Sequence, residues 1–198
     1  MANKVKYGLK NVYYAIATDD GAGTLTYATP VAWKGAVSLS MDAQGDTNNF
    51  YADNIIYWTG TANSGYQGDF ECALIPDSFR TDVLGEEVDT AGVYVERAGV
   101  PTVEFALLFQ FEGDESATRH CLYRCTASRP AVSGQTVEAS IEPQTESITL
   151  TAMARISDEL VKSRCPADAS AYANWFTAVH EPVLETENTN ENENQNEG

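Results

Sequence analysis

Residues 66–85 read YQGDFECALIPDSFRTDVLG, and the spacing of their apolar side chains changes halfway along. Phe70, Cys72 and Leu74 alternate with polar or small residues, and this alternation predicts a β-strand with one buried face. Pro76 ends that strand, because proline cannot donate a hydrogen bond to a continuing ladder.

The second half of this stretch predicts a short helix over Asp77–Leu84. Asp77 or Ser78 is expected to cap its start, and Gly85 is expected to supply the left-handed residue that ends it. The apolar residues that recur at helical spacing are Phe79, Val83 and Leu84. The stretch therefore predicts a strand leading into one helix that lies back on a sheet.

Several other segments predict antiparallel strands. Phe105–Phe111 is almost wholly apolar, which predicts a strand covered on both faces, with Leu122–Ala127 as its neighbour and residues 112–116 as the turn. The segments that alternate are marked by Val12, Tyr14 and Ile16, by Val37, Leu39 and Met41, and by Ile148, Leu150 and Ala152. Taken alone, the residues indicate a soluble, acidic, β-rich domain.

A second helix is predicted near the C-terminus, over about Ala169–Val179. Its apolar side chains fall at positions i, i+3, i+4 and i+7, and they are Tyr172, Trp175, Phe176 and Val179. Such a stripe is typical of a helix that packs on the core of its own domain.

Asp42–Asn54 is predicted to be a long polar loop, rich in Asn, Asp and Gly. It carries two aromatic residues, Phe50 and Tyr51, and is followed by the apolar run Ile55–Trp58. Loops longer than about 12–15 residues in a compact domain are usually functional or disordered. This segment is therefore the first place to look for a binding surface.

Charge and length bound the domain organisation. The chain has 198 residues and a net charge of −17. Residues 181–198 hold six Glu and no Lys or Arg, which leaves −11 on residues 1–180. We expect a single domain over residues 1–180 and an acidic, disordered tail over residues 181–198. The twelve Lys and Arg residues are scattered along the sequence, which argues against a groove for nucleic-acid backbone.

Targeting signals and cysteines indicate a reducing compartment. No apolar stretch approaches the ~20 residues of a membrane span, and the first residues lack the apolar core of a signal peptide. We therefore expect no membrane partner and four reduced, buried cysteines. Cys121 and Cys125 would lie roughly 13 Å apart on one strand, too far to share a zinc ion or a disulfide. No cofactor or metal is predicted.

No catalytic arrangement is visible, so we do not expect an enzyme. Glycine-rich phosphate loops, nucleophile elbows and zinc-binding His-Glu-x-x-His motifs are absent from the sequence. The carboxylates of Asp69, Glu71, Glu142 and Glu146 are expected to face water. An alternative is a carbohydrate-binding or host-surface adhesion module, because ten Tyr and three Trp in a β-rich chain could form a sugar-binding face. A secreted sugar binder would also need an export signal.

The order and spacing of several segments resemble the major tail proteins of long, non-contractile-tailed bacteriophages, the subunits of the tail tube. The resemblance covers most of residues 4–180. Its segments are Lys4–Tyr14, Asn49–Asn54, Tyr66–Gly85, Phe105–Phe111, Ala117–Pro130, Ser140–Glu146 and Asn174–Phe176.

The resemblance implies a fold: an antiparallel β-sandwich or flattened barrel of roughly eight to ten strands. It also implies a flanking α-helix and a long projecting hairpin loop, to which we add the predicted C-terminal helix. Tail-tube subunits of this kind assemble into rings, commonly hexameric, and the rings stack into a hollow tube.

The resemblance further implies partners and a location. The partners are other copies of the chain, the tape-measure protein and tail-end proteins, while DNA passes through the lumen without specific binding. The location is the virion tail, after assembly in the host cytoplasm. We hypothesise that Asp42–Tyr57 reaches a neighbouring subunit and becomes ordered on assembly, with Phe50, Tyr51 and Asp53 at the oligomer interface.

Overall fold

The computed structural model describes residues 3–136 and 142–183, and this part of the chain is mainly β-structure. Residues 184–198, most of the predicted disordered tail, lie outside the described residues. In order, the elements are β1 (Lys6–Asp19), β2 (Leu25–Tyr27), β3 (Val31–Trp33), β4 (Ala36–Gln44), β5 (Thr47–Ala52), β6 (Ile55–Thr61), β7 (Gly65–Cys72), α1 (Asp77–Asp82), β8 (Glu87–Val88), β9 (Tyr94–Val95), β10 (Phe105–Gly113), β11 (Thr118–Ala127), β12 (Glu146–Met153) and β13 (Lys162–Cys165).

One antiparallel sheet of nine strands dominates the described residues. Its order is β2-β1-β10-β11-β12-β7-β4, with β3 also paired to β1 and β13 also paired to β11. The sheet bends so that β4 comes close to β1, but it does not close into a barrel. The predicted mainly-β fold, a β-sandwich or flattened barrel, is confirmed.

The main core lies between the two halves of this bent sheet and under α1. Phe79 of α1 is fully buried at its centre and contacts the rings of Tyr14, Trp33 and Phe105, with centroid distances of 5.1, 4.3 and 5.3 Å. Phe70 and Cys72 face the same core, as their alternation predicts. The alternation stops there, because β7 ends at Cys72 and Leu74 is exposed.

The helix α1 is present but shorter than predicted. Pro76 occupies the position before the first turn, and neither Asp77 nor Ser78 makes a capping side-chain bond, so that prediction was wrong. Gly85 does adopt the predicted left-handed conformation, with φ of +76°. The Glu86 amide donates to the Arg80 carbonyl at 3.0 Å, which satisfies an otherwise free carbonyl at the helix end.

Strand β10 is covered on both faces, as its apolar sequence predicts. Phe105 and Leu107 face the main core, while Ala106 and Leu108 face a second, smaller core on the outside of the sheet. The irregular segment 166–183 covers this second core, with Trp175 buried in it. Burial of successive side chains on opposite faces explains the continuous apolar run of the sequence.

The predicted helix over Ala169–Val179 is wrong. The segment instead forms a series of turns, in which the amides of Tyr172 and Trp175 donate to carbonyls three residues earlier, Ala169 and Tyr172. The Tyr172 carbonyl also accepts from the Arg119 guanidinium, which lies on the Tyr172 ring. The apolar stripe packs on the core as predicted, but side-chain donors from the sheet replace helical bonding.

Two arginines fasten this C-terminal segment to the sheet. Arg119 lies between the rings of Tyr172 and Phe176 and holds its first half. Arg155, which is buried, pairs with Asp158 and with Glu181 at 2.7 Å, and its guanidinium lies on the Tyr123 ring. The end of the described chain is therefore fixed to the outer face of the sheet.

The segment predicted to be a long loop is instead mostly β-structure. Asp42 and Gln44 belong to β4, and β5 and β6 then form a separate two-stranded hairpin before β7 begins. The prediction of a loop over Asp42–Asn54 was therefore wrong, although a projecting hairpin agrees with the resemblance described above.

Candidate functional site: an exposed hairpin and a basic groove

A tight turn at Asp53–Asn54 connects β5 to β6. Both residues have positive φ angles, +52° and +62°. This conformation is that of the two-residue turn that matches the twist of a hairpin, and Asn and Asp tolerate it better than other residues with side chains. Within the described residues, β5 and β6 pair only with each other.

The two faces of the hairpin are both apolar and both exposed. Phe50 lies opposite Trp58 on one face, and Tyr51 lies opposite Ile56 on the other. The side chains of this apolar set are between 52% (Ile56) and 71% (Tyr57) exposed, and they are Phe50, Tyr51, Ile55, Ile56, Tyr57 and Trp58. Contiguous exposed apolar surface of this kind marks an interaction site on a globular protein.

The hairpin becomes polar toward its base. The Thr59 hydroxyl donates to the Asn49 side chain at 3.0 Å across the two strands. The Trp58 indole folds over Gly60, where an added Cβ would overlap the ring. The apolar surface is therefore concentrated in the half of the hairpin nearest the turn.

The structure places Phe50, Tyr51 and Asp53 together in this half of the hairpin, all exposed. Their role at an interface stays a prediction. The hypothesis for Asp42–Tyr57 includes Ile55–Tyr57 but names none of these three as interface residues, and it leaves out Trp58. The signal was present: four successive apolar residues directly follow a turn, and no polar alternation marks a face toward solvent.

A basic groove is the second feature of interest. It encloses about 330 Å³ between the start of β1 and the strand β13, and the residues that define it here are Lys4, Lys6, Phe111, His120 and Arg164. Lys6 lies over the Phe111 ring at 4.7 Å, and Lys162, beside the groove, lies over the Tyr66 ring at 4.3 Å.

These cations lack carboxylate partners among the described residues. Six of the twelve Lys and Arg residues form ion pairs there, and Lys4, Lys6, Lys162 and Arg164 are not among them. Glu112, which also lines the groove, is paired with Lys10 at 3.2 Å. The basic residues are scattered in sequence, but strand pairing brings four of them to one surface.

His120 forms part of the floor of this groove. Its ring stacks on Phe109 with a centroid distance of 5.2 Å and an interplanar angle of 7°. In the pairing of β11 with β13, His120 lies opposite Arg164. Burial, followed by the charges of Arg164, Lys6 and Lys162, lowers the pKa of His120 to about 4. The imidazole is therefore neutral at pH 7, as expected of an ordinary strand histidine.

We expect His120 to make the protein less stable as the pH is lowered. An unfolded histidine has a pKa near 6.5, so between about pH 6.5 and pH 4 the unfolded chain binds a proton that the folded chain does not. The stabilisation is complete above pH 6.5 and decreases by about 2–3 kcal/mol as the pH approaches 4. Urea unfolding at pH 7 and pH 4.5 should show this difference, and His120→Gln should reduce it.

The control repeats the unfolding measurement with His180→Asn, at an exposed histidine outside the groove. An NMR titration of His120 provides the direct measurement. A pKa near 6.5 for His120 would contradict the expectation.

All four cysteines are buried, as predicted, and none of them is joined to another in a disulfide. Burial raises the pKa of Cys125 to about 12 and raises the pKa of Cys121 well above its ordinary value. Burial also raises the pKa values of Cys72 and Cys165. Because the thiolate is the reactive species, these side chains behave as small apolar core residues.

Neither a metal-binding group nor a membrane span is found in the part of the chain that the structure describes. Residues 3–136 and 142–183 contain no cluster of three or more His, Cys, Asp or Glu side chains arranged to hold a metal ion. The same residues contain no helix with the length and hydropathy needed to cross a bilayer.

Comparison with known proteins yields a structural likeness at low sequence identity. No family model matches the sequence, and no curated protein matches it. Among solved structures, the chain is similar to the anti-feeding prophage cap, a tube-terminating cap determined by cryo-EM, with a TM-score of 0.47 and 11% identity. The alignment covers 84% of this chain and 97% of that chain.

Proposed function

We propose that this chain is a structural subunit of a phage-type tail tube, which forms rings that stack into a hollow conduit. The β5–β6 hairpin is the assembly element, with Phe50, Tyr51 and Asp53 at the interface. The observation that carries the proposal is the exposure of apolar side chains on both faces of this hairpin. The sequence resemblance to tail-tube subunits gives that surface its context.

An isolated hairpin is only marginally stable. Two strands that pack on nothing are barely stable in water, and covering them with a neighbour removes their apolar side chains from water. Phe50, Tyr51 and Trp58 are aromatic, and aromatic side chains are enriched among the residues that anchor protein interfaces. A second copy of the chain is the partner that a homo-oligomeric tube requires.

Open strand edges provide a second route for contact between subunits. Within the described residues, β4 pairs only with β7, so the other edge of Ala36–Gln44 is free. A free edge can pair with a strand of another copy and extend the sheet around a channel. The acidic net charge favours passage of DNA through such a channel without adhesion.

The test replaces Phe50 and Tyr51 together by Ala. We expect a folded monomer with an unchanged melting temperature, because both side chains are exposed in the monomer. The concentration needed for assembly should rise about 30-fold or more, since truncation of an anchoring aromatic costs about 2 kcal/mol or more. Negative-stain electron microscopy and sedimentation measure rings and tubes.

A matched control is Val88→Ala combined with Tyr94→Ala, which truncates two exposed side chains on the short β8–β9 hairpin. This control should assemble as the parent does. If the Phe50 and Tyr51 variant assembles as readily as the parent, the β5–β6 hairpin is not the assembly element.

The alternative, a carbohydrate-binding or host-surface adhesion module, makes the opposite prediction for the parent chain. Exposed Tyr57 and Trp58 rings can stack on sugars as well as on protein. A dispersed monomer that is retained on a glycan column, with no rings or tubes at any concentration tested, would favour this alternative over the tube.

A further inference from the structure

The basic groove described above is a candidate site for binding another molecule. Building on the assembly role proposed above, we propose that it receives the tip of the β5–β6 hairpin from a second copy, with the Asp53 carboxylate between Lys6 and Arg164. This contact would make the groove the surface that the hairpin binds on a neighbouring copy. Neither the sequence nor the resemblance identifies that surface.

The charge of the hairpin is concentrated at its tip. Thr47–Thr61 contains a single charged residue, Asp53, and this residue lies in the turn, at the end farthest from the body of the sheet. Asp53 is exposed and forms no ion pair with the described residues. A hairpin that enters a groove tip first therefore brings one carboxylate at its leading end.

The groove carries positive charge that the described residues do not neutralise by ion pairs. The chain is strongly acidic, yet Lys4, Lys6 and Arg164 line this groove without a described carboxylate partner. Lys6 and Arg164 are exposed, so a carboxylate from another copy can reach them. The groove therefore complements the charge at the tip of the hairpin.

The floor of the groove complements the rest of the tip. Phe111 and the neutral His120 ring present aromatic surface between the cations, with their centroids 5.4 Å apart. Tyr51 of β5, two residues before Asp53, is also exposed, and aromatic rings attract Lys and Arg as well as other rings. Cations over an aromatic floor thus meet one carboxylate and a nearby aromatic side chain.

The two surfaces are different parts of one chain, so the contact is heterologous. A heterologous contact that is repeated from copy to copy closes into a ring or continues as a filament. This is the connectivity that the proposed tube requires, and the contact uses one hairpin and one groove per subunit.

The experiment reverses the charges on each side. Asp53→Lys alone, and Lys6→Glu with Arg164→Glu, should each slow assembly roughly tenfold or more, because like charges then face each other across the contact. The chain that carries all three substitutions should regain assembly. Lys34→Glu is the matched control, since Lys34 is also exposed and unpaired among the described residues but lies outside this groove.

Mixing the two charge-reversed chains tests that the contact joins different copies. In an alternating ring, each native Asp53 meets a native groove, and each hairpin that carries Asp53→Lys meets a reversed groove. An equimolar mixture should therefore assemble about as fast as the parent, although each chain alone assembles roughly tenfold more slowly or worse. A contact within one chain would not be restored by mixing, and failure of the mixture would overturn the proposal.

The remaining outcomes separate this inference from the assembly role itself. If Phe50 and Tyr51 are needed for assembly but the groove variant assembles like the parent, the hairpin docks elsewhere and only this inference is wrong. If the groove variant fails and Asp53→Lys does not restore it, the groove has another occupant, such as the acidic residues 184–198. Circular dichroism and melting temperature confirm that each variant is folded before assembly is scored.

Discussion

Replacing Phe79 by Ala is expected to lower the free energy of unfolding by about 3–5 kcal/mol, a large fraction of the stability of a domain of this size. Phe79 is completely buried where α1 meets the sheet, and its ring contacts Tyr14, Trp33 and Phe105. The change removes a ring and leaves a cavity that these large side chains cannot fill without leaving their rotamers. Urea unfolding monitored by tryptophan fluorescence measures the loss.

Leu74→Ala is the matched control for this prediction. Leu74 lies five residues before Phe79 in the same connection but is 70% exposed, so its truncation should change stability by less than about 0.5 kcal/mol. A loss of less than about 1 kcal/mol for Phe79→Ala would mean that the helix does not close the core as described.

Gly68→Ala is the second substitution with a large expected effect, a loss of about 3 kcal/mol. Gly68 lies in β7, paired to Leu150 of β12 on one side and Met41 of β4 on the other. A Cβ at this position would overlap the Ser40 carbonyl oxygen and come within 2.9 Å of the Met41 Cα. Because both neighbours are backbone atoms of a paired strand, relief requires the ladder between β4 and β7 to separate.

Gly134→Ala tests whether the effect depends on the site. An added Cβ at Gly134 meets no atom within 4 Å, so this substitution should be neutral or slightly stabilising through the unfolded chain. The difference in melting temperature between Gly68→Ala and Gly134→Ala measures the effect of the steric overlap at Gly68. Equal melting temperatures would contradict the close approach of β4 to β7.

The strands that the sequence correctly predicts have one or both faces in a core, as the continuous apolar run of β10 shows for both faces. Alternation arises from burial of one face, and it correctly indicates β1, β4, β7 and β12. Strands β5 and β6 lack it because their apolar side chains occupy both faces and neither face is buried in this chain. No residue of the described ranges 3–136 and 142–183 covers these two strands, so no alternation of apolar and polar residues marks them in the sequence. The Asp53–Asn54 pair was the local signal for the turn.

The C-terminal segment shows a different limit of sequence patterns. Helical spacing correctly predicts that Trp175, Phe176 and Val179 pack on a core, but not the backbone conformation that brings them there. Arg119, more than fifty residues away in sequence, donates to the Tyr172 carbonyl, and the Trp175 indole donates to the His120 carbonyl at 3.2 Å. Such long-range donors depend on the tertiary structure, and no local pattern records them.

The basic groove depends on tertiary structure in the same way. Lys4 and Lys6 lie near the start of the sequence, and Lys162 and Arg164 lie near its end. Their proximity follows only from the pairing of β1 with β10, of β10 with β11 and of β11 with β13. Lys162 and Arg164 are two residues apart in β13, and this visible spacing places both cations on one face of the strand.

The four buried thiols have a practical consequence for the study of this surface. Their raised pKa values and burial make them slow to react with alkylating reagents. A cysteine introduced on the exposed hairpin is therefore the preferred target for a maleimide dye, without prior removal of the native cysteines. The fluorescence of that label then reports directly on whether the hairpin is in water or covered by a neighbouring molecule.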